Sequence, residues 1–226
     1  MSVSKTTYKL NYFNARGLVE NIRYLFALSH TEYTDFRYPL TVIDMSQFLM
    51  EKPEFDRDRD EGKLLKSLNK LPFLQVDGNN GTHIICQSKS IERYLATEFG
   101  FMGEDNLEKA QIDSICECVR DLKEMYKSLK RDINKDEKIK EWFSITLPEK
   151  LGLLENILGD NFGFSVGNKT SLADITLYTF IYEFFDNKQS AFNACLNNTK
   201  ILRIVEKINI LPEIIDWRET RPDTMF

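Results

Sequence analysis

The residues best suited to chemistry in this chain stand at the ends of short elements. Gln87 and Ser88 lie where a predicted strand meets a predicted helix. The first turn of a helix offers unpaired N–H donors and a partial positive charge, so a carboxylate is its natural guest. Ser88 adds a hydroxyl and also reads as the N-cap; the two roles are compatible, because cap geometry is what aims the donors. Tyr12 closes the first predicted strand, with its hydroxyl at the strand end beside the first helix. Taken by itself it reads as a half-buried strand aromatic. Pro72, after Lys70-Leu71 and ahead of a strand, reads by itself as a trans proline starting that strand. Asp121 sits in a helical run with Asp113 and Glu117 and reads by itself as one more solvated acid. Metal chemistry has little to build on: Cys86, Cys116, Cys118 and Cys195 are joined only by His30 and His83. Cys116 and Cys118 are two apart in a helical pattern and point to different faces, so no metal site is expected.

These residues need elements to hold them, and the periodicity supplies two kinds. Thr7 to Phe13 (TYKLNYF) suits a strand, and Leu18, Ile22, Leu25 and Phe26 then recur at helical spacing through Ser29. Thr34 to Leu40 reads as a second strand. Phe73 to Val76 and Thr82 to Cys86 form a hairpin around Asp77-Gly78-Asn79-Asn80-Gly81. Ser88 to Phe99 closes this part as a helix with Ile91, Tyr94 and Leu95 on one face. The order strand, helix, strand, hairpin, helix predicts a small mixed sheet with helices packed on it and a right-handed crossover between the first two strands. Between the second strand and Pro72 runs Thr41 to Asn69, a connection long enough to be functional or mobile. Its apolar Phe48, Leu49, Leu64 and Leu65 predict short helical turns.

From Gly100 the strand signals end. Gly100 to Asp105 reads as a linker. Helices are predicted over Asn106 to Ile133, over Asp136 to Leu158 with a break near Pro148, over Ser171 to Asp186, and around Ile201 to Ile208 and Leu211 to Arg218. Ser171 with Asp174 three residues on is a capping-box signal for the strongly apolar third of these.

Composition narrows the function classes. The chain has 226 residues, with 35 acidic against 30 basic side chains and a net charge of −5. That balance argues against a general phosphate-backbone binder. The charge run Glu51 to Lys63 mixes both signs and reads as a solvated loop. Four cysteines in this length make no disulfide framework. No stretch is apolar enough to span a bilayer and Met1 to Thr7 is polar, so the expected location is cytoplasmic.

Four segments together resemble a known family. They are YKLNYFNARGLVENIRYLFA at Tyr8 to Ala27, KLPFLQVDG at Lys70 to Gly78, QSKSIERYL at Gln87 to Leu95, and GNKTSLADI at Gly167 to Ile175 with the ending RPDTM. In this order they resemble the sigma-class glutathione transferases, the family that includes hematopoietic prostaglandin D synthase. The resemblance covers nearly the whole chain apart from Thr41 to Leu68. It implies an α+β fold, a thioredoxin-like domain over residues 1–100 that binds glutathione, and an all-α domain over residues 106–226 that forms the electrophile pocket. It implies a homodimer, with glutathione as co-substrate and no further cofactor.

The resemblance also assigns roles. Tyr12 would donate a hydrogen bond to the glutathione sulfur and favour thiolate, which lowers the thiol pKa. Pro72 would be cis, with Leu71 pairing with the cysteinyl backbone. Gln87 and Ser88 would receive the γ-glutamyl carboxylate. Lys63 would meet the glycyl carboxylate, and Thr41 to Leu68 would form a flap there, the alternative being a surface insertion. Asp121 would reach the glutathione amino group across the dimer. Phe13 and Ala15 would begin the apolar pocket. Four positions depart from the family: Leu18 stands for an arginine near the sulfur and Arg120 for a metal-associated acid. Ser128 stands for a pocket tryptophan, and the family tryptophan near Lys63 has Arg59 in its place, with Phe55 nearby. The implied activity is conjugation of glutathione to hydrophobic electrophiles. A glutathione-dependent isomerase and a silent, crystallin-like binding protein remain as alternatives.

Overall fold

The computed structural model describes residues 5–44, 49–159 and 163–224. Phe48, the first four residues of the polar run Met1 to Thr7 and the last residue of RPDTM, Met225, lie outside them. The described residues group into two compact units, one reaching Leu95 and including the segment from Glu219 onward, the other Ala96–Arg218. The return of the C-terminal segment to the first unit has no counterpart in the sequence reading.

In the first unit, β1 (Thr7–Phe13) pairs in parallel with β2 (Thr34–Tyr38), with Tyr12 opposite Arg37 and Phe13 opposite Tyr38. The crossover between them is α1 (Glu20–Leu28). Two short strands follow, β3 (Thr41–Asp44) and β4 (Leu49–Glu51), paired antiparallel as a separate two-stranded sheet. Then come α2 (Pro53–Asp60) and a 3-10 turn, Leu65–Ser67. A hairpin of β5 (Phe73–Gly78) and β6 (Gly81–Cys86) completes the main sheet in the order β2-β1-β5-β6. The last element is α3 (Ser88–Glu98). One parallel pair joined by a helix, extended by an antiparallel hairpin, is the thioredoxin-like arrangement the resemblance implies.

Leu10, Ile22, Leu25, Leu74, Ile91 and Leu95 are fully buried and join sheet to helices. Each contributes about 1.5–3 kcal/mol by leaving water. A second, smaller cluster of Tyr38, Phe55 and Leu64 takes Phe13, Phe36, Leu71 and Phe73 against it. It fastens α2 to the strand ends. Thr41 to Asn69 thus holds a strand pair, a full helix and the 3-10 turn Leu65–Ser67; of the helical turns expected, the one at Leu65 is present, while Leu49 lies in β4 instead.

The second unit is helical: α4 (Asn106–Leu129), α5 (Lys135–Glu141), α6 (Leu147–Glu155), α7 (Leu172–Tyr182), α8 (Lys188–Ala194), α9 (Thr199–Asn209) and α10 (Pro212–Thr220), whose last two residues, Glu219 and Thr220, belong to the first unit. α7 is buried on every side, from Leu172 through Ile181. α9 buries Ile201, Ile204, Val205 and Ile208, the single stripe of an amphipathic helix. The break expected near Pro148 is a π-helical turn, Trp142–Thr146, between α5 and α6. Proline has no N–H to donate and its ring clashes with the carbonyl four residues back, Ser144; a wider turn relieves both.

Ser171 and Asp174 form the expected capping box at the start of α7. Asp174 does more than cap. Its Oδ1 accepts from Ser165 N–H at 2.6 Å and Ser165 Oγ at 2.5 Å, and its Oδ2 from Ser171 N–H at 2.7 Å and Ser171 Oγ at 2.8 Å.

Candidate active site

Tyr12 is 8% exposed at the end of β1. Its phenol oxygen accepts a hydrogen bond from the Leu18 N–H at 3.2 Å. The turn that carries this donor is fixed at several points. Asn14 N–H donates to the Tyr38 carbonyl at 2.8 Å, and Arg23 Nη1 donates to the Ala15 carbonyl at 2.7 Å. Arg23 is itself 1% exposed. A buried guanidinium is costly unless paired, and it is paired: Nη1 lies 3.2 Å from Glu20 Oε2 and Nε 3.2 Å from Asp35 Oδ2. Asp35 also holds Arg37 at 2.6 Å, and Glu20 holds Arg221 at 2.6 Å. A ladder of five alternating charges therefore runs from the C-terminal segment under the turn to β2.

Burial raises the Tyr12 phenol above its ordinary value of 10.0, and the Leu18 N–H and then the Arg23 charge offset part of that rise. Tyr12 thus keeps its proton, the form able to donate to an anion. With one oxygen lone pair turned to Leu18 N–H, that proton is free to serve a ligand. A spectroscopic titration of the protein is expected to leave Tyr12 protonated to about pH 10. A tyrosinate signal near neutrality that disappears in Tyr12→Phe would contradict this.

Leu18 also lines a pocket of about 60 Å³, room for about four water-sized groups. Leu71 and Pro72 form one wall, and the peptide between them is cis. Gln87 and Ser88 form another. Gln87 has a left-handed backbone, φ +71°, and its carbonyl accepts the Ile91 N–H at 3.0 Å. Gln87, rather than Ser88, therefore takes the capping position of α3, because β6 runs to Cys86 and leaves one residue for the turn. Ser88 is the first helical residue, where its hydroxyl and backbone N–H are both unspent on a cap.

Lys70 also lines this pocket. It is exposed and, among the described residues, carries no ion pair. Left-handed Leu68 (φ +59°) and Asn69 (φ +54°) turn the chain just before it. The sequence carried the signal: a cation directly ahead of Leu71-Pro72. Cys86 is the remaining thiol at the pocket; burial pushes it up, which keeps it protonated and unreactive.

The other expected site residues are not among those lining this pocket. The Lys63 ammonium lies 3.0 Å from Asp58 and 2.7 Å from Glu61. Asp58 also accepts from the Tyr38 hydroxyl at 3.1 Å. Burial first, and then that hydrogen bond, push Tyr38 up to about 12. Phe13 sets its ring edge-on to Phe55 at 5.3 Å, in the cluster that holds α2. Ala15 is buried in the turn. Asp121 is exposed on α4, in the second unit. Arg120 pairs with Glu117, and Ser128 Oγ donates to the Met125 carbonyl at 2.6 Å. Arg59 pairs with Asp56 and Asp60. Among the described residues no group of three His, Cys, Asp or Glu side chains could hold a metal ion, and no helix is long and apolar enough to cross a membrane.

Residues 120–221 match the family described as the glutathione S-transferase C-terminal domain. The chain is 32% identical to hematopoietic prostaglandin D synthase of Gallus gallus, across 96% of this chain and 98% of that one. It is 31% identical to glutathione S-transferase 3 of Caenorhabditis elegans, across 97% and 99%. Among solved structures it is similar to a glutathione S-transferase of the hookworm Necator americanus, described as monomeric. That likeness has a TM-score of 0.77 and 29% identity, over 97% of this chain and all of that one.

Proposed function

Since the chain belongs to the glutathione S-transferase family, we propose that it binds reduced glutathione and adds the glutathione thiolate to hydrophobic electrophiles. The observation that carries this reading is Tyr12, a buried phenol kept protonated with its oxygen fixed by Leu18 N–H. A donor held in that way favours the sulfur anion. A free thiol near pKa 8.5 is only a few per cent ionised at neutral pH. Lowering it by about two units makes thiolate the main species, at about 1.4 kcal/mol per unit. The glutathione thiol loses its proton to solvent. The sulfur lone pair then forms a carbon–sulfur bond as the electrophile releases its leaving group or takes the electrons into a conjugated acceptor. Positioning supplies the remainder of the acceleration.

The test is turnover of an activated chloroarene by the wild-type protein. Saturable, glutathione-dependent release of chloride is expected. Tight glutathione binding without turnover of this or any conjugated enone would overturn the enzyme reading in favour of a silent binding protein.

The tripeptide fits the pocket by charge. Ser88 and the free N–H groups of α3 suit the γ-glutamyl carboxylate, while Lys70 suits the glycyl carboxylate better than Lys63 does, whose charge Asp58 and Glu61 already hold. By calorimetry, Lys70→Ala is expected to weaken glutathione binding about tenfold and Lys63→Ala less than about twofold, since an engaged exposed cation has little to give. A larger loss at Lys63 would return the flap role to that residue. We also propose a homodimer in which Asp121 meets the glutathione amino group of the other copy. Sedimentation at a single chain mass would remove both parts of that proposal.

A further inference from the structure

Gly17 joins Arg16 to Leu18 in the turn between β1 and α1, with φ of +43°. L side chains rarely adopt that left-handed backbone. A second observation is independent of the first. A Cβ on Gly17 would lie 2.6 Å from the Tyr12 hydroxyl oxygen, 3.1 Å from Cε1 and 3.3 Å from Cζ. All three atoms belong to one side chain, so the volume left by the missing methyl is the volume the phenol head occupies. The next peptide then delivers the Leu18 N–H to the same oxygen at 3.2 Å.

A methyl at position 17 can be accommodated in two ways. The phenol can swing aside, which stretches its contact with Leu18 N–H beyond hydrogen-bonding distance. Alternatively the turn can open, which carries that N–H away. Both lose the same bond. The turn itself has little freedom, because Arg23 holds the Ala15 carbonyl and Asn14 N–H is spent on Tyr38. We propose that Gly17 is a positioning residue for the Tyr12 hydroxyl, holding open the space for the phenol oxygen and presenting the Leu18 N–H to it. Gly17 touches no substrate; it acts through Tyr12. The inference rests on the reading of Tyr12 as thiol activator.

The test is a cycle of four proteins: wild type, Gly17→Ala, Tyr12→Phe and the double variant. Each is read by the pH dependence of thiolate absorbance with glutathione bound, by glutathione affinity and by thermal melting. Gly17→Ala is expected to raise the apparent pKa of the bound thiol by about one unit, to slow conjugation at pH 7 about threefold as the thiolate fraction falls from roughly three-quarters to roughly one-quarter, and to keep affinity within about threefold. In the Tyr12→Phe background the same change should alter the rate less than about twofold, because the hydroxyl it displaces is gone. An unchanged thiol pKa in Gly17→Ala, or equal losses in both backgrounds, would overturn the proposal. If Gly17→Ala does not fold, the double variant decides. Folding restored by removing the hydroxyl supports the proposal, and failure of both means that Gly17 serves the backbone alone. Should Tyr12→Phe itself leave the thiol pKa unchanged, the functional reading fails. Coupling between positions 12 and 17 in melting temperature would still judge the placement.

Discussion

Replacing Tyr12 with phenylalanine is expected to slow conjugation at neutral pH by about 25-fold while leaving glutathione affinity nearly unchanged. The figure follows from the thiol alone: with its pKa returning from about 6.5 to about 8.5, the thiolate fraction at pH 7 falls from roughly three-quarters to roughly 3%. The same arithmetic makes the defect depend on pH in a fixed direction. At about pH 9 the free thiol is itself mostly ionised, and the loss should shrink to less than about twofold. Burial keeps the Tyr12 phenol above its usual value, so the wild-type donor stays intact across that range. Rates measured over pH 6 to 9 decide the matter. A deficit of constant size would mean that Tyr12 acts on the electrophile or on the fold, and an absent deficit would remove it from the mechanism.

The second large effect belongs to stability. Asp174→Asn is expected to cost about 3 kcal/mol, comparable to breaking a buried charged network. Asparagine is nearly the same shape, which is why the argument is sharp. Each carboxylate oxygen of Asp174 accepts from one backbone N–H and one serine hydroxyl. Either orientation of an amide therefore points an NH2 group at a backbone N–H that has no other acceptor there. The start of α7 would loosen, and α7 is the helix buried on every side. A fall in melting temperature of roughly 6–12 °C is the expected reading. Ser165→Ala, which removes one neutral donor, should cost only about 1 kcal/mol. Equal effects from the two substitutions would show that the carboxylate holds nothing special.

Much of this was legible in the chain. The strand and helix periods of residues 7 to 29, the turn residues of the β5–β6 hairpin and the Ser171-Asp174 pair are local signals, and local structure honours them. The pair β3 and β4 was not legible, because Thr41–Asp44 and Leu49–Glu51 are short, half exposed and carry charges that read as loop. Lys63 was assigned to the glycyl carboxylate by resemblance, yet a free cation and one held between Asp58 and Glu61 have the same sequence. Gln87 and Ser88 were found as a pair, but which of them caps α3 depends on where β6 stops. Gly17 is the clearest case of information absent from the linear chain. Its value comes from the nearness of a phenol five residues earlier, and no pattern of types or spacing reveals that distance.

The charge ladder under the Tyr12 turn has a further consequence for how the protein is made. Glu20 lies in α1, which leaves the ribosome ahead of the second unit, yet one of its two oxygens is held by Arg221, which emerges only after the whole second unit. Until then the nascent first unit carries an acid at its centre with only part of its compensation, beside the guanidinium that steadies the turn. Order of synthesis and order of completion are thus inverted between the two units: the one translated ahead of the other gains its last ionic partner after it.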